Sequence, residues 1–448
     1  MADYDAIVIG GGPAGLASAI ALAQAGGRVL VCERRRLPAD KACGQGLMPA
    51  GVRELQRLGV ERFIDPLAVA PLHGIRFVSR QGRLAEARFA EGPGWGMPRL
   101  VLSAALARCA RATPGLELRE RTRARPRART ARGVLVEAGG ELLSARLLVG
   151  ADGLGSAVRR FAGLEGGLGG LRRYGVRRHL AIAPWSELVE VHLGPGLEAY
   201  VTPCGGGVTE VALLFDRELG PQCNGEADGA TGPAGVPAAG AAAAAARTAA
   251  PAPGGGSGGG SGQGAARLFE LLLARLPALA ARVAGAPRLD PALVCGPLWR
   301  RARAPLADGV ALLGDAAGYL DALTGEGMTL AFRQARALAR AAAPHLGRAG
   351  GGLLRASELA AYARAHRALR LPHVVMTRLA LAVLRRRLAS EAAVALLGRA
   401  PGLLQKLLSV NMGCWPRRRR LVAVPAPTPG CGPVPAGARW RPGSSSRW

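Results

Sequence analysis

The sequence predicts an α/β protein with two folded parts and a helical C-terminal region. Three observations carry that reading. The chain opens on an apolar run, a glycine-rich loop and an Ala/Leu-rich segment within its first 32 residues. Residues 174–215 have strand-like patterning, broken by turns at Gly194-Pro195-Gly196 and Gly205-Gly206-Gly207. From about Leu330 onward the apolar spacing is helical. At 448 residues, 49% hydrophobic and 20% charged, the chain exceeds one ordinary core and has enough apolar material for two.

Residues 4–9, Tyr-Asp-Ala-Ile-Val-Ile, read as a short buried strand. Gly10-Gly11-Gly12-Pro13-Ala14-Gly15 follows and fits GxGxxG. Residues 16–25 read as a helix stopped by Gly26-Gly27. Residues 28–32 form a second strand, with Glu33 and Arg34 directly after it. This is a complete Rossmann-like β-α-β unit. Gly10 allows the tight turn, Gly12 lets backbone approach a pyrophosphate, and Gly15 permits close helix–strand packing. The helix N-terminus offers free N–H groups and partial positive charge to phosphates. Glu33 stands where a carboxylate accepts from ribose hydroxyls, with Arg34 beside it as a further nucleotide-contacting residue. The fingerprint alone leaves FAD and NAD both open.

Farther along, residues 99–111 have helical spacing, and residues 134–137 and 147–149 read as strands. The 174–215 stretch is expected to form an antiparallel sheet. Residues 220–266 hold an Ala run (241–246) and a Gly/Ser run (254–264), from which no core can be built. Helical periodicity returns at 268–283, and residues 310–313 read as a strand before another glycine-containing loop. There is no internal repeat.

The formal net charge is +28, which raises nucleic-acid or membrane contact. Only Lys41 and Lys406 are lysines, and the arginines are spread along the chain apart from the Arg417–Arg420 run. Aromatics make up 4%, too few for base-stacking platforms, so no nucleic-acid partner is expected. With the Ala and Gly excess, the arginine bias is what a GC-rich coding sequence produces, and attraction to anionic lipid ranks only somewhat above nucleic-acid binding. Eight cysteines occur with no CxxC pair and no histidine cluster, so no metal site is expected. The N-terminus is acidic and lacks a charged signal-peptide region, and no apolar run reaches membrane-spanning length. These features point to a reduced, cytoplasmic setting with free thiols, and peripheral membrane contact.

Two more motifs place an Asp just after a buried strand. One is Leu148-Val149-Gly150-Ala151-Asp152-Gly153, followed by Ser156 and Arg159; the other is Gly309-Val310-Ala311-Leu312-Leu313-Gly314-Asp315-Ala316-Ala317-Gly318. With the N-terminal fingerprint, and in this order, they resemble the flavoprotein hydroxylase and geranylgeranyl reductase superfamily over roughly residues 4–414, the 220–266 segment excepted. The resemblance implies FAD as cofactor. It implies that Asp315 binds the ribityl chain, that Asp152 lies near the pyrophosphate, and that Arg99, in Arg-x-x-Leu-x-x-x-Leu, contacts FAD. Asp40-Lys41-Ala42-Cys43-Gly44-Gln45-Gly46 looks like the Lys-x-Cys-Gly-x-Gly loop of the geranylgeranyl-reductase branch. So does Asp321-Ala322-Leu323-Thr324-Gly325-Glu326-Gly327-Met328, in which Ala322 replaces the usual Pro. Cys43, Gly325 and Gly327 are thereby the flavin-side candidates, with Met328 among the cofactor-contacting residues. Gly325 and Gly327 let backbone N–H groups approach a flavin ring.

The organisation expected is a discontinuous FAD-binding domain (1–170 and 285–345), with parts of 70–100 joining a substrate-domain sheet at 171–220. A flexible insertion (221–266), a helix returning to the FAD domain (267–284), C-terminal helices (346–414) and a disordered basic tail (415–448) complete it. No second GxGxxG unit and no redox CxxC follow, so NAD(P)H or another donor is expected to visit transiently. His179, His192, Trp185 and Tyr200 fall in the substrate sheet, as pocket or packing residues. No catalytic triad or carboxylate pair stands out. The function expected is an FAD-dependent oxidoreductase acting on a small molecule, with a lipid-like one as an alternative. Hydroxylation of an aromatic or polyketide-type compound with NAD(P)H and O2 ranks first, and saturation of isoprenoid double bonds second. The C-terminal stretch 369–412 reads as a core-covering cap or as a membrane-docking surface.

Overall fold

A computed structural model describes residues 2–167, 172–220, 259–347 and 351–412. The first layer is a mostly parallel sheet. Tyr4–Ile9 lies at its centre, flanked by Val29–Cys32 and Glu141–Gly150, with Leu116–Arg119 beyond the former and Val310–Leu312 beyond the latter. Its central strands are apolar on both faces because helices cover one side and a hairpin, Ala124–Thr130 with Gly133–Ala138, and Val158 cover the other. The helices Pro13–Gln24, Arg99–Arg111 and Gly327–Ala342 pack together through Leu16, Ile20, Leu106, Ala335 and Leu338.

The second layer is a seven-stranded sheet. Its order is Leu293–Cys295, Arg173–Leu180, Val208–Asp216, Leu197–Cys204, Leu188–Gly194, Gly74–Val78 and Leu84–Arg88. All pairings are antiparallel except Leu188–Gly194 with Gly74–Val78. Alternation sorts its side chains. Tyr174, Val176, Leu180, Val211, Leu213 and Phe215 face outward onto Phe269, Leu272 and Leu279 of two covering helices, Gly259–Ala274 and Pro277–Arg282. Arg173, Arg177, His179, Glu198, Thr202 and Glu210 occupy the opposite, inner face, where each is buried.

Two expectations are corrected here. The helix Gly259–Ala274 starts inside the span assigned to the insertion, because the apolar stripe of Ala265, Leu268, Phe269 and Leu272 nucleates a helix that propagates back into the glycine-rich sequence. The same stripe packs onto the outer face of the second sheet rather than returning to the FAD domain, and Leu293–Cys295 joins that sheet too. Residues 70–100 do contribute two strands to it. Most of the 221–266 insertion and the 415–448 tail lie outside the described residues. The C-terminal region consists of the helices Ala360–Leu384, Arg387–Arg399 and Pro401–Asn411.

Arg173 joins the two layers. Its guanidinium reaches Asp321 at 3.0 and 3.1 Å, Asp216 at 3.2 Å, and Glu198. All are buried or nearly so. Removing the cation leaves buried carboxylates without a counter-charge, which costs about 3–5 kcal/mol. Arg173→Met is therefore expected to lower the urea midpoint by an amount corresponding to that loss, and to release the Asp321 loop to proteolysis. An unchanged midpoint would refute the role.

Candidate functional site

The glycine fingerprint is built as its spacing requires. Gly10 has φ +110°, and a Cβ there would meet the Ala151 carbonyl oxygen at 2.5 Å. A Cβ on Gly15 would lie 1.8 Å from the Gly10 oxygen. Gly12 is different: it is the N-cap of Pro13–Gln24, no side chain caps that helix, and a Cβ would meet nothing within 4 Å. Pro13 occupies the first helical turn and Ala14 follows it. The space before Gly12 and the uncapped N–H groups fit a pyrophosphate. Glu33 accepts from Gly11 N at 2.6 Å and from Arg35 N at 3.0 Å, so it braces the loop and retains lone pairs for a ribose. Arg34 is exposed beside it.

Asp152 sits next to the fingerprint, but its carboxylate is occupied locally. It accepts from Ser156 Oγ (2.5 Å), Ala157 N (2.6 Å) and Val158 N (3.2 Å) at the start of Ala157–Phe161. Its side chain holds a turn, and only its backbone borders the loop. Arg159, buried, donates to the Ala316 carbonyl at 3.0 Å, and Arg370 donates to the Ala317 carbonyl at 2.7 Å. Together they hold the Asp315 loop. Asp315 is met by Lys41 Nζ at 2.9 Å, and its charge raises the Lys41 ammonium above its usual range. The pairing had a legible signal: Lys41 is the only lysine before residue 406.

The structure brings Cys43, Arg99 and Met328 together. The buried Arg99 guanidinium lies 3.6 Å from Cys43 Sγ and 3.4 Å from Met328 Sδ. Sulfur is a weak acceptor, so this cation keeps capacity for a stronger one. Gly325 has φ +65°, where a side chain is strained, and a Cβ there would be 3.6 Å from Met48 Cε. Gly327 opens the helix behind the loop. An uncapped helix start, an open Gly12 and an under-satisfied Arg99 on one side of the sheet fit FAD.

The inner face of the second sheet supplies what sequence reasoning missed. His179, Glu210 and Thr202 stand opposite one another on three adjacent strands. His179 bonds Asp290 through Nδ1 at 2.7 Å and Gln45 through Nε2 at 2.9 Å. Arg177 bonds Asp40 at 2.5 Å, pairs with Asp290, and lies 3.8 Å from Glu210. Glu210 is fully buried, and neither of its carboxyl oxygens has a hydrogen-bond partner. Burial pushes its acid well above the usual carboxylate range. Its sequence, Thr-Glu-Val-Ala-Leu, reads as an ordinary strand, and only pairing reveals where the acid points. Cys204 shares this face, and burial also raises its thiol. Tyr200 donates to the Leu323 carbonyl at 2.9 Å and so anchors the Thr324 loop. Trp185 packs with the outer helices, under Arg282, and His192 pairs with Glu190 at 3.0 Å opposite Ala199, an outer-face residue. Neither faces the cofactor side.

With this geometry in view, residues 3–192 match the family described as FAD binding domain. Menaquinone reductase of Mycolicibacterium smegmatis is 51% identical over 61 residues, 14% of this chain and 15% of that protein. Digeranylgeranylglycerophospholipid reductase of Methanosarcina mazei is 31% identical over 233 residues, 47% of this chain and 54% of that protein. A 3-(3-hydroxy-phenyl)propionate/3-hydroxycinnamic acid hydroxylase of a Mycobacterium species is 33% identical over 175 residues, 36% of this chain and 30% of that protein. The chain thus spans about half or less of these relatives. A flavoprotein/dehydrogenase of Cytophaga hutchinsonii has the same fold, with TM-score 0.69, 18% identity, and coverage of 91% of this chain and 92% of that one. The likeness to that structure is one of fold.

The glycine loops make two predictions. Gly12→Val is expected to fold with an unchanged unfolding midpoint and to purify without flavin absorbance, because its side chain enters only the open space before the helix. Gly15→Ala instead collides with backbone and is expected to lower stability itself. The second concerns Glu326, buried in the loop between Gly325 and Gly327, whose acid burial pushes up to about 7 from the usual 4.5. Between those values the folded chain holds a proton that the unfolded chain has lost. Stability therefore falls by about 3 kcal/mol as pH rises through that window. Glu326→Gln is expected to flatten this part of the stability–pH curve; an unaltered slope would exclude Glu326 as its source.

Proposed function

We propose that the chain is an FAD-dependent oxidoreductase that saturates a carbon–carbon double bond of an isoprenoid, lipid-like substrate. Glu210 carries this reading. Saturation of an olefin adds one hydride and one proton, and a fully buried carboxylic acid held protonated is a proton source of the required kind. When bound, FAD supplies the two-electron relay between an NAD(P)H-type donor and the substrate. The chain's own residues do the rest. Gly12 and the start of Pro13–Gln24 would hold the pyrophosphate, Lys41 and Asp315 would hold the ribityl chain, and Arg99 would contact the ring system. Glu210 gives its proton to one olefin carbon while hydride reaches the other, leaving two C–H bonds where the double bond was. Glu210 regains its proton from solvent between turnovers.

The apolar part of the inner face supports a hydrocarbon substrate. Met48, Leu72, Ile75, Val189 and Val191 form one buried cluster that reaches Gly325. The Lys-x-Cys-Gly and Thr-Gly-Glu-Gly loops, and the two reductases among the relatives, agree with it. The second reading is hydroxylation, which sequence reasoning ranked first. The His179–Asp290 pair, able to take a proton from a phenol, and the hydroxylase relative favour that alternative.

Oxygen separates the two. Purified holoprotein with NADPH and a polyprenyl substrate is expected to turn over fully under argon, with product gaining two hydrogens, one of them from solvent in D2O. Product carrying label from 18O2, with no turnover under argon, would establish hydroxylation instead. Glu210→Gln is expected to keep its flavin and to lose about 100-fold in kcat for the reduction. A variant with unchanged kcat would remove Glu210 as the proton donor.

A further inference from the structure

The helix Ala360–Leu384 has two unlike faces. Its inner stripe, Tyr362, His366, His373, Thr377 and Leu381, is buried. His373 Nδ1 meets Thr324 Oγ1 at 3.1 Å, so this stripe touches the flavin-side loop directly. Burial lowers the His366 and His373 imidazoles, to about 3 and about 4, which keeps them neutral there. The outer stripe carries Leu371, Val375 and Leu379, each more than half exposed, at successive turns. Arg364, Arg367 and Arg378 share that exposed side. At the end of the helix the run Arg385-Arg386-Arg387 is exposed, and Leu388 beside it is 84% exposed.

Between residues 360 and 412 the only carboxylate is Glu391, and it is buried. Arg385 also pairs with Asp216 of the second sheet at 3.4 Å. An apolar stripe bordered by arginines, on a helix with no acid of its own, is the composition of a helix that lies in the headgroup region of an anionic bilayer. No helix among the described residues is long and apolar enough to cross a membrane, so contact through this face would be peripheral.

We propose that the outer face of Ala360–Leu384, with the Arg385–Leu388 turn, docks the protein on an anionic lipid surface. Leucine and valine side chains enter the acyl boundary, and the arginines meet lipid phosphates. Because the inner face of the same helix contacts Thr324, docking sets the flavin-side loop one helix diameter from the bilayer. This surface stands whether the reaction is reduction or hydroxylation.

The test is sedimentation of the purified full-length flavoprotein with phosphatidylcholine vesicles, with and without phosphatidylglycerol. Binding is expected to the phosphatidylglycerol vesicles, to weaken at high salt, and to be at least 10-fold weaker to phosphatidylcholine alone. The triple variant Leu371→Gln, Val375→Gln, Leu379→Gln is expected to lose at least 10-fold in partitioning while keeping its flavin absorbance. Flavin absorbance separates loss of docking from loss of fold. Three results would overturn the proposal. One is wild-type chain left in the supernatant with either vesicle. Another is a triple variant that binds like wild type, which would move the contact to other basic segments such as Arg417–Arg420. The third is a wild-type dimer on size exclusion that the triple variant abolishes, which would make this face a contact between copies of the chain.

Discussion

Two arginines on one strand hold this protein's working parts in register. Arg173 and Arg177 are four residues apart on Arg173–Leu180, so strand periodicity puts both on the inner face of the second sheet. Arg173 grips Asp321, at the head of the loop that carries Thr324 to Met328. Arg177 grips Asp40, at the head of the loop that carries Lys41 to Gly46. The cofactor-side loops thus come from distant points of the chain and are located by a single strand of the other layer. Buried guanidinium groups are costly without partners, so the clamp is kept only in the geometry that satisfies them.

That clamp explains why the inner face is polar where the outer face is not. The outer face needs only to exclude water, and aliphatic and aromatic side chains do so against two helices. The inner face must meet two loops rich in backbone polar groups. Thr202 donates to the Gly44 carbonyl at 3.0 Å, Tyr200 to that of Leu323, and His179 bonds Gln45. Glu210 is the exception in this row. Its oxygens are unmatched, which in a folded interior is tolerated by keeping the acid protonated. A buried acid kept loaded beside this polar row has a proton to give, and the proposed chemistry rests on it.

The helix Ala360–Leu384 extends the same logic outward. Its inner stripe closes the cofactor side through His373 and Arg370, and its outer stripe repeats apolar and cationic residues without an acid. The large positive charge of the chain therefore has a local meaning here that composition could not assign, since most other arginines are spread along the sequence or consumed in ion pairs such as those of Arg119 and Arg288.

What the sequence determined by itself is what depends on short stretches of chain. The Gly10–Gly15 loop is legible because its glycines answer to a positive-φ turn at Gly10, a close approach within the loop at Gly15 and an open space before a helix at Gly12. The strand–Asp motifs at 152 and 315, and the two loops at Cys43 and Gly325, are legible for the same reason. Tertiary structure alone decided which groups meet. Asp152, expected beside a pyrophosphate, spends its carboxylate on a helix start, and Trp185 and His192 face away from the cofactor side. The helices Gly259–Ala274 and Pro277–Arg282 cover the second sheet, not the first. Lys41 finds Asp315 across 274 positions, and Glu210 meets Arg177 at 3.8 Å but no hydrogen-bond partner. A strand's alternation states that side chains divide between two faces, but which face turns to the cofactor is set by the partner layer, and a carboxylate's role is set by the charges and dipoles that folding brings to within a few ångströms.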